Sequence, residues 1–247
     1  ENETELTNLE KVLVTQLDVL NLDYIENSVK LGISKFGKID FLVNNAGNGA
    51  YGSLESFSKE KIRRQFDTNV MGSVNLLDSV RRCSSVLSLV YVTSDKCYEN
   101  LEWIWGYRET DRLGGHDPYS ASKGAAEIIF SAYLRSFFES GNLIGAASTR
   151  AGNVIGGGDW AVDRIIPDCI RSIEKNVPIE IRNPLATRPW QHVLEPLSGY
   201  ILLSAKLRDD PKKFSGSWNF GPSSSEVRTV KEVASKIIHH LGKGKIE

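Results

Sequence analysis

This chain of 247 residues lacks an excess of charge of either sign, because its 30 Lys and Arg residues are balanced by 31 Asp and Glu residues. The net charge of −1 provides no basic field of the kind that holds nucleic acid, and no polybasic run lies beside an apolar stretch. Long hydrophobic runs are also missing, because the longest are strand-sized, well short of the ~20 apolar residues that span a membrane. No signal peptide is visible. We therefore expect a cytoplasmic protein whose partner is neither a nucleic acid nor a membrane.

Cysteine and histidine are scarce, and their spacing argues against two kinds of structural support. The cysteines are odd in number and widely spaced: Cys83, Cys97 and Cys169. This pattern fits reduced thiols in the cytosol better than a disulfide framework. The histidines are His116, His192, His239 and His240. None has metal-ligand spacing to a cysteine, so we expect no structural zinc and no other bound metal.

The hydrophobic residues, 40% of the chain, are enough for a large core and are arranged in alternating patterns. Short apolar runs predict strands at residues 11–17, 39–43, 87–93 and 143–149. Apolar residues at helical spacing predict helices at residues 24–35, 59–80 (interrupted near Gly72) and 119–138. Strands that alternate with helices of this length are typical of βαβ units. We therefore predict an α/β fold, a doubly wound parallel sheet of Rossmann-like type with helices on both faces.

The sequence pattern changes after Gly152, where glycines and prolines separate shorter predicted elements. A helix at residues 197–207 and a strand at residues 217–220 follow in the prediction. We expect a cofactor-binding core formed by residues 1–152, to which residues 190–222 return. A smaller substrate-binding lobe is expected from residues 153–189 and 223–247.

Polar side chains follow the predicted strands at the edge where ligands bind in such folds. Residues 44–47 read NNAG, and their small side chains let the backbone come close to a cofactor. A plain Asn- and Gly-rich turn is the alternative. Asp18 and Val19 end the preceding strand, where a carboxylate can accept a hydrogen bond from an adenine amine.

Ser94, Asp95 and Lys96 close the next predicted strand, and Tyr119 and Lys123 stand four residues apart, on one face of a predicted helix. The ammonium of Lys123 favours the ionised form of the Tyr119 phenol. A hydroxyl at Ser94 can hold a carbinol oxygen, and the phenolate can take its proton as hydride leaves carbon. Each of these side chains alone fits a solvated polar residue better than a functional one, whereas together they form a chemical set.

These features resemble the short-chain dehydrogenase/reductase superfamily: NNAG at 44–47, Asn69 in the following helix, Ser94, and YxxxK at 119–123. The resemblance implies that Tyr119 is the acid/base, that Lys123 binds the nicotinamide ribose and that Ser94 orients the substrate. It implies NAD as cofactor. The implied NAD-binding residues are Asp18, Val19, Asn44, Ala46, Gly47, Asn69, Tyr119 and Lys123.

A closer resemblance, over residues 67–242, is to the extended branch of the superfamily, the nucleotide-sugar 4,6-dehydratases of the CDP-glucose type. It rests on runs such as VTSDKCYENLEWIWGYRETD and RAGNVIGGGDW, and on Lys96 where related dehydratases usually carry glutamate. The resemblance implies that Lys96 removes the proton at carbon 5 and that Asp95 protonates the departing 6-hydroxyl. It implies a nucleotide-sugar site at Asn153, Arg164, Arg188 and His192. The alternative for the arginines is surface salt bridges.

The first 65 residues resemble single-domain short-chain dehydrogenases instead, and no glycine-rich dinucleotide fingerprint precedes residue 11. We expect a chain from which the first βαβ unit and the end of the substrate lobe are missing. Two other functions stay open: an NAD(P)-dependent reductase of a small ketone, and a non-catalytic nucleotide-binding remnant. The helices at 59–80 and 119–138 predict a possible homodimer interface.

Overall fold

A computed structural model describes residues 10–18, 20–39, 58–140, 144–161, 163–223 and 226–247. Its α-helices are α1 (Leu22–Phe36), α2 (Lys59–Phe66), α3 (Gly72–Arg82), α4 (Pro118–Tyr133), α5 (Ile165–Glu174), α6 (Leu194–Asp209), α7 (Pro211–Phe214) and α8 (Val230–Leu241). Its strands are β1 (Ser88–Val92), β2 (Gly145–Ala151), β3 (Val154–Ile155), β4 (Thr187–Arg188), β5 (Gln191–His192), β6 (Gly216–Phe220) and β7 (Arg228–Thr229). None of these helices is long and apolar enough to cross a membrane.

The central sheet of the described chain has the order β1-β2-β6, and both pairs of strands are parallel. Leu89 on β1 aligns with Ala146 on β2, and Ala151 aligns with Phe220 on β6. Strand β2 is buried along its whole length, as expected for a strand covered on both faces. The predicted parallel α/β fold is therefore confirmed.

Helices cover both faces of the sheet. Alternate strand residues point to opposite sides, so each face presents apolar side chains to a different set of helices. Leu89 on β1 faces α3 and α4, in a core that includes Leu77 and Phe130. The other face packs against α6 through Leu207. This second contact is close, since a Cβ at Gly145 would lie 2.2 Å from the carbonyl oxygen of Leu207.

The predicted helix at 59–80 is confirmed as a continuous helical stretch with a wide turn inside it. Ser58 caps α2 by accepting a hydrogen bond from the backbone N–H of Lys61, and a π-helical segment, Asp67–Met71, joins α2 to α3. The interruption therefore begins before Gly72 rather than at it. The helix predicted at 119–138 is also confirmed, as α4 followed by a π-helical turn, Leu134–Phe138.

The N-terminal part of the chain confirms one prediction and overturns another. Helix α1 matches the helix predicted at 24–35 and is capped by the side chain of Asn21. The strand predicted at 11–17 is wrong, since these residues form no strand. Side chains of α1 satisfy part of their backbone, because Lys35 Nζ donates to the carbonyl of Val12 at 2.8 Å. Of the strand predicted at 39–43, only the first residue lies among the described residues.

Short elements after β2 form a second packing unit. Strand β3 pairs in parallel with β5, and β4 pairs with β7 in antiparallel fashion. Helices α5 and α8 pack together around the buried residues Cys169, Ile173 and Ala234. The residue boundaries of the two units stay a prediction.

Candidate active site

The carboxyl end of β1 leads directly into a tight turn that carries three of the predicted site residues. The backbone N–H of Thr93 donates to the carbonyl of Thr149 at 2.8 Å and so continues the pairing with β2. Ser94 then caps the short 3₁₀ turn Asp95–Cys97. Its Oγ accepts a hydrogen bond from the backbone N–H of Lys96 at 3.2 Å and donates to Asp95 Oδ1 at 3.1 Å. The side chain of Lys96 is exposed.

Asp95 lies in a niche formed by Gly152 and Pro189. A Cβ at Gly152 would lie 2.6 Å from Pro189 Cγ and 3.5 Å from Asp95 Oδ2. Burial raises the pKa of the Asp95 carboxyl above its ordinary value, and the charges of Lys96 and Arg188 oppose this only in part. A carboxyl held toward its protonated form is suited to giving a proton away.

The first two turns of α4 carry Tyr119 and Lys123. Asp117 caps the helix, since its Oδ1 accepts from the backbone N–H groups of Tyr119 at 2.9 Å and Ser120 at 3.0 Å. Pro118 occupies the first helical turn, where its missing N–H costs nothing. The ammonium of Lys123 lies 5.7 Å from the centroid of the Tyr119 ring. Burial lowers the pKa of the Lys123 ammonium, while Cys97 and Glu127 act in the opposite direction.

The structure brings the turn at the end of β1 and the start of α4 into direct contact. Gly124 makes the approach close, because a Cβ there would lie 3.4 Å from the carbonyl oxygen of Cys97. Asn69, from the π-helical segment, reaches the same helix, and its Nδ2 donates to Ser122 Oγ at 3.0 Å. Ser122 Oγ in turn donates to the carbonyl of Tyr119 at 2.7 Å. The predicted residues Ser94, Asp95, Lys96, Asn69, Tyr119 and Lys123 therefore lie on elements that pack together.

A buried ion pair beneath this site was missed by sequence reasoning. Arg150 on β2 is 4% exposed and Glu127 on α4 is 1% exposed. Arg150 Nη2 donates to Glu127 Oε2 at 2.6 Å, and Nη1 donates to the hydroxyl of Tyr98 at 2.7 Å. Although burial disfavours the charge of Arg150, the hydrogen bond that it donates to Glu127 and the negative charge of Glu127 raise the pKa of Arg150. An arginine directly after the apolar run predicted as a strand at 143–149 was the available signal, since a charge that becomes buried there needs a partner.

The predicted nucleotide-sugar residues lie in two places. Asn153 accepts a hydrogen bond from the backbone N–H of Gln191 at 2.9 Å, and His192 follows on β5. Arg188 lies close enough to Asp95 to influence its pKa, and it aligns with Arg228 across the β4–β7 pair. Asn153 directly follows Gly152 and Arg188 directly precedes Pro189, so both residues flank the contact between Gly152 and Pro189.

Arg164 is the exception in this set. Its side chain is 52% exposed and forms an ion pair with Asp159 at 3.5 Å. This ion pair matches the alternative interpretation of Arg164 from the sequence, in which the arginine forms a surface salt bridge instead of a substrate contact.

The predicted cofactor residues from the first part of the chain can be followed only at Asp18. Its side chain is exposed, and Oδ1 accepts a hydrogen bond from the backbone N–H of Leu20 at 2.9 Å. Four other predicted cofactor residues lie outside the described residues: Val19, Asn44, Ala46 and Gly47. Within the described part of the chain, no three His, Cys, Asp or Glu side chains cluster in a way that could hold a metal ion.

The parallel sheet and the polar groups at the carboxyl ends of its strands are those of a Rossmann-like, nucleotide-binding class of protein. The chain belongs to the NAD dependent epimerase/dehydratase family, whose sequence pattern matches residues 2–221. The resemblance found by sequence is thereby confirmed.

Individual relatives are consistent with this family. The chain is 52% identical over 189 residues to the CDP-glucose 4,6-dehydratase of Salmonella typhimurium. This match covers 75% of this chain and 53% of the relative. It is 48% identical over 79 residues to an uncharacterized oxidoreductase of Schizosaccharomyces pombe, covering 32% of this chain and 34% of the relative. The dTDP-glucose 4,6-dehydratase of Bacillus anthracis in complex with NAD matches with a TM-score of 0.74 and 25% identity, covering 94% of this chain and 65% of that chain. The chain thus spans about half the length of the Salmonella relative.

Proposed function

We propose that the chain acts as a nucleotide-sugar 4,6-dehydratase that converts CDP-glucose to CDP-4-keto-6-deoxyglucose and water. One observation carries the proposal: the turn with Ser94, Asp95 and Lys96 packs against the start of α4, where Lys123 lies over Tyr119. This arrangement combines the groups for oxidation at carbon 4 with an acid and a base for elimination across carbons 5 and 6. The similarity to the Salmonella enzyme supports the choice of CDP-glucose.

The residues fit NAD as the cofactor, since a phenol and an ammonium stand on one helix face at the ligand edge of a parallel sheet. Tyr119 and Lys123 would hold its nicotinamide ribose, with Asn69 behind them. When bound, NAD accepts hydride from carbon 4 and returns it to carbon 6, so it is regenerated. The adenine and pyrophosphate contacts are proposed for Asp18, Val19, Asn44, Ala46 and Gly47.

The protein's own residues would move the protons. Tyr119, ionised beside Lys123, takes the proton of the sugar 4-hydroxyl as hydride leaves carbon 4, while Ser94 holds the same oxygen. The ketone acidifies the proton on carbon 5, which Lys96 removes. Asp95, whose pKa is raised by burial, gives its proton to the 6-hydroxyl, which leaves as water. After hydride returns to carbon 6, a proton is restored at carbon 5.

Arg188, Asn153 and His192 are proposed to bind the diphosphate and the nucleoside. Arginine is suited to paired contacts with phosphate oxygens, and Arg188 is exposed beside the Asp95 niche. Arg164 belongs to the proposal as well, although its ion pair with Asp159 would have to open.

The division of the chain and its assembly are also proposals. Residues 1–152 with 190–222 would form the cofactor-binding core, and residues 153–189 with 223–247 the substrate lobe. A homodimer through the helices at 59–80 and 119–138 is supported by large apolar side chains exposed on both: Met71, Ile128 and Phe137 are 49%, 60% and 41% exposed. We place the protein in the cytoplasm, without nucleic-acid or membrane partners.

A reductase of a small ketone is the second candidate, favoured by the similarity to the Schizosaccharomyces oxidoreductase. Calorimetric titration with NAD and with CDP-glucose distinguishes the functions, because a dehydratase binds both and a reductase binds only the dinucleotide. A non-catalytic remnant would bind neither, or CDP-glucose alone.

The decisive test is turnover of CDP-glucose with NAD in deuterated water. We expect loss of water and one solvent deuterium at carbon 5 of the 4-keto-6-deoxy product. Tyr119→Phe serves as the matched control, since without the phenolate no 4-keto intermediate forms. Product without deuterium at carbon 5, or no product from the wild-type protein, contradicts the proposal.

A further inference from the structure

Glu127 connects the two segments that the proposed reaction requires. It lies one helical turn after Lys123 on α4, and its Oε1 accepts a hydrogen bond from Thr93 Oγ1. Thr93 immediately precedes Ser94 and Asp95, and its Oγ1 also lies 3.2 Å from the carbonyl oxygen of Thr149. One carboxylate thus links the helix of Tyr119 and Lys123 to the strand end of Ser94 and Asp95.

The second oxygen of Glu127 connects the same helix to the neighbouring strand. Oε2 accepts hydrogen bonds from Ser148 Oγ at 2.8 Å and from Arg150 Nη2 at 2.6 Å. Arg150 continues the network to β6, donating to Ser217 Oγ at 2.9 Å. It also holds the loop before α4, donating to the carbonyl of Glu109 at 2.9 Å.

The burial of this network restricts the helix to one position. Both charges are almost fully buried, and a buried charge without its partner is costly. A shift of α4 along the sheet would separate Glu127 from Arg150 and from Thr93 together. Such rigidity is what a catalytic arrangement needs, since side chains must be held to within ~0.5 Å.

We propose that Glu127 is a positioning residue that fixes the distance between the Asp95–Lys96 turn and the Tyr119–Lys123 pair. Arg150 neutralises its charge and completes the clamp. The catalytic part of this inference rests on the proposed dehydratase function. Its geometric part, the clamp between α4 and the end of β1, does not.

Glu127 also acts on Lys123 through its charge. Lys123 is faced by Cys97 from the turn, by Glu127 from its own helix and by the ring of Tyr119. The negative charge of Glu127 opposes the effect of burial on the Lys123 pKa. Removal of this charge should therefore lower the Lys123 pKa further, an effect that loss of the hydrogen bond to Thr93 alone would not have.

The test compares three variants with the wild-type protein. Glu127→Gln keeps the shape and removes the charge, Thr93→Val breaks the link to β1 and keeps the charge, and Glu139→Gln changes an exposed carboxyl as the matched control. The measurements are the kcat and KM for CDP-glucose and the titration midpoint of Lys123. The midpoint is followed by NMR on isotope-dimethylated lysines and assigned with Lys123→Arg.

We expect kcat to fall by up to about 100-fold in Glu127→Gln and Thr93→Val, the cost of misplacing reacting groups by about 1 Å. KM should change little, because substrate binding is not the function of the clamp. The Lys123 midpoint should fall in Glu127→Gln and stay in place in Thr93→Val. The control should match the wild type in both measurements.

Unchanged kcat in both Glu127→Gln and Thr93→Val overturns the positioning role. If the wild-type protein makes no product, the proposed function fails, and the Lys123 midpoint alone decides the inference: a midpoint that Glu127→Gln leaves in place contradicts it. If Glu127→Gln does not fold, the fall in kcat of Thr93→Val decides instead.

Discussion

Gly152 and Pro189 are in such close contact that a Cβ on Gly152 would lie 2.6 Å from Pro189 Cγ. The same Cβ would lie 3.5 Å from Asp95 Oδ2. The absence of a side chain at residue 152 therefore allows the segment before β5 to close over the carboxyl of Asp95. The shape of this niche depends on a contact that a single methyl group would disturb.

Gly152→Ala should destabilise the protein and impair the elimination step. Overpacking of this kind costs about 1–3 kcal/mol, which corresponds to a fall in Tm of about 2–12 °C for a domain of this size. Thermal unfolding followed by circular dichroism measures the fall. Gly157→Ala is the control, because a Cβ at Gly157 meets nothing within 4 Å. Equal Tm values for the two variants would show that Pro189 moves aside freely.

Lys96→Ala should leave oxidation at carbon 4 possible and slow the loss of water. Removal of a positioned acid or base typically costs ~10²–10⁴ in rate. The expected result is a matching loss of deuterium incorporation at carbon 5 in deuterated water. Lys212→Ala, in the short helix α7, is the control for loss of a surface ammonium. Wild-type turnover by Lys96→Ala would reduce Lys96 to a solvated side chain.

Asp95 should make stability depend on pH in a definite direction. Its pKa is raised above the ordinary value of 3.8 in the folded protein, so between the two values the folded state binds more protons than the unfolded chain. The contribution of Asp95 to the free energy of unfolding therefore falls as pH rises through this window. Asp95→Asn has no carboxyl to titrate, so this pH-dependent decrease in the free energy of unfolding should be absent from the variant.

The measurement for Asp95 is urea unfolding of both proteins at several values from about pH 4 to 7. The stability of Asp95→Asn relative to wild type should increase with pH. A difference that is constant over this range would mean that the Asp95 carboxyl titrates alike in the folded and unfolded states.

Leu207→Ala tests the packing of α6 on the sheet. Leu207 is fully buried between α6 and β2, so the cavity should cost about 2–5 kcal/mol. Leu202→Ala, on the same helix at a side chain that is 61% exposed, should change stability by no more than about 0.5 kcal/mol. Chemical denaturation gives both values. Similar losses in the two variants would place the buried face of α6 elsewhere.

The sequence predicted the long elements of the fold well because their signals are local. Asp117 and Pro118 begin α4 as a capped helix should begin, and its apolar residues repeat at helical spacing. The run at 11–17 shows the limit of such signals. An apolar run reports a tendency to be buried, whereas a strand also needs a neighbour with which to exchange hydrogen bonds. The two-residue strands such as β3 and β5 are too short to have a period at all.

The candidate site was predictable in its residue types and less so in its support. Ser94, Tyr119 and Lys123 stand at strand and helix ends, where the fold concentrates ligand-binding groups. The pairing of Glu127 with Arg150 depends on packing between a helix and a strand, so no spacing in the sequence reveals it. The niche around Asp95 likewise depends on Pro189, which is far away along the chain.

The pairing of β4 with β7 has a consequence for the order in which the protein is made. Arg188 aligns with Arg228, and β3 aligns with β5, so both contacts join segments that leave the ribosome well apart in time. In the folded protein Thr187 pairs with Thr229. A nascent chain that ends before Thr229 therefore lacks the residue with which Thr187 pairs. The central strands β1 and β2, with α4 between them, are complete much earlier and can begin to pack during synthesis. The segment with Arg188 should therefore reach its final shape only after β7 has been synthesised.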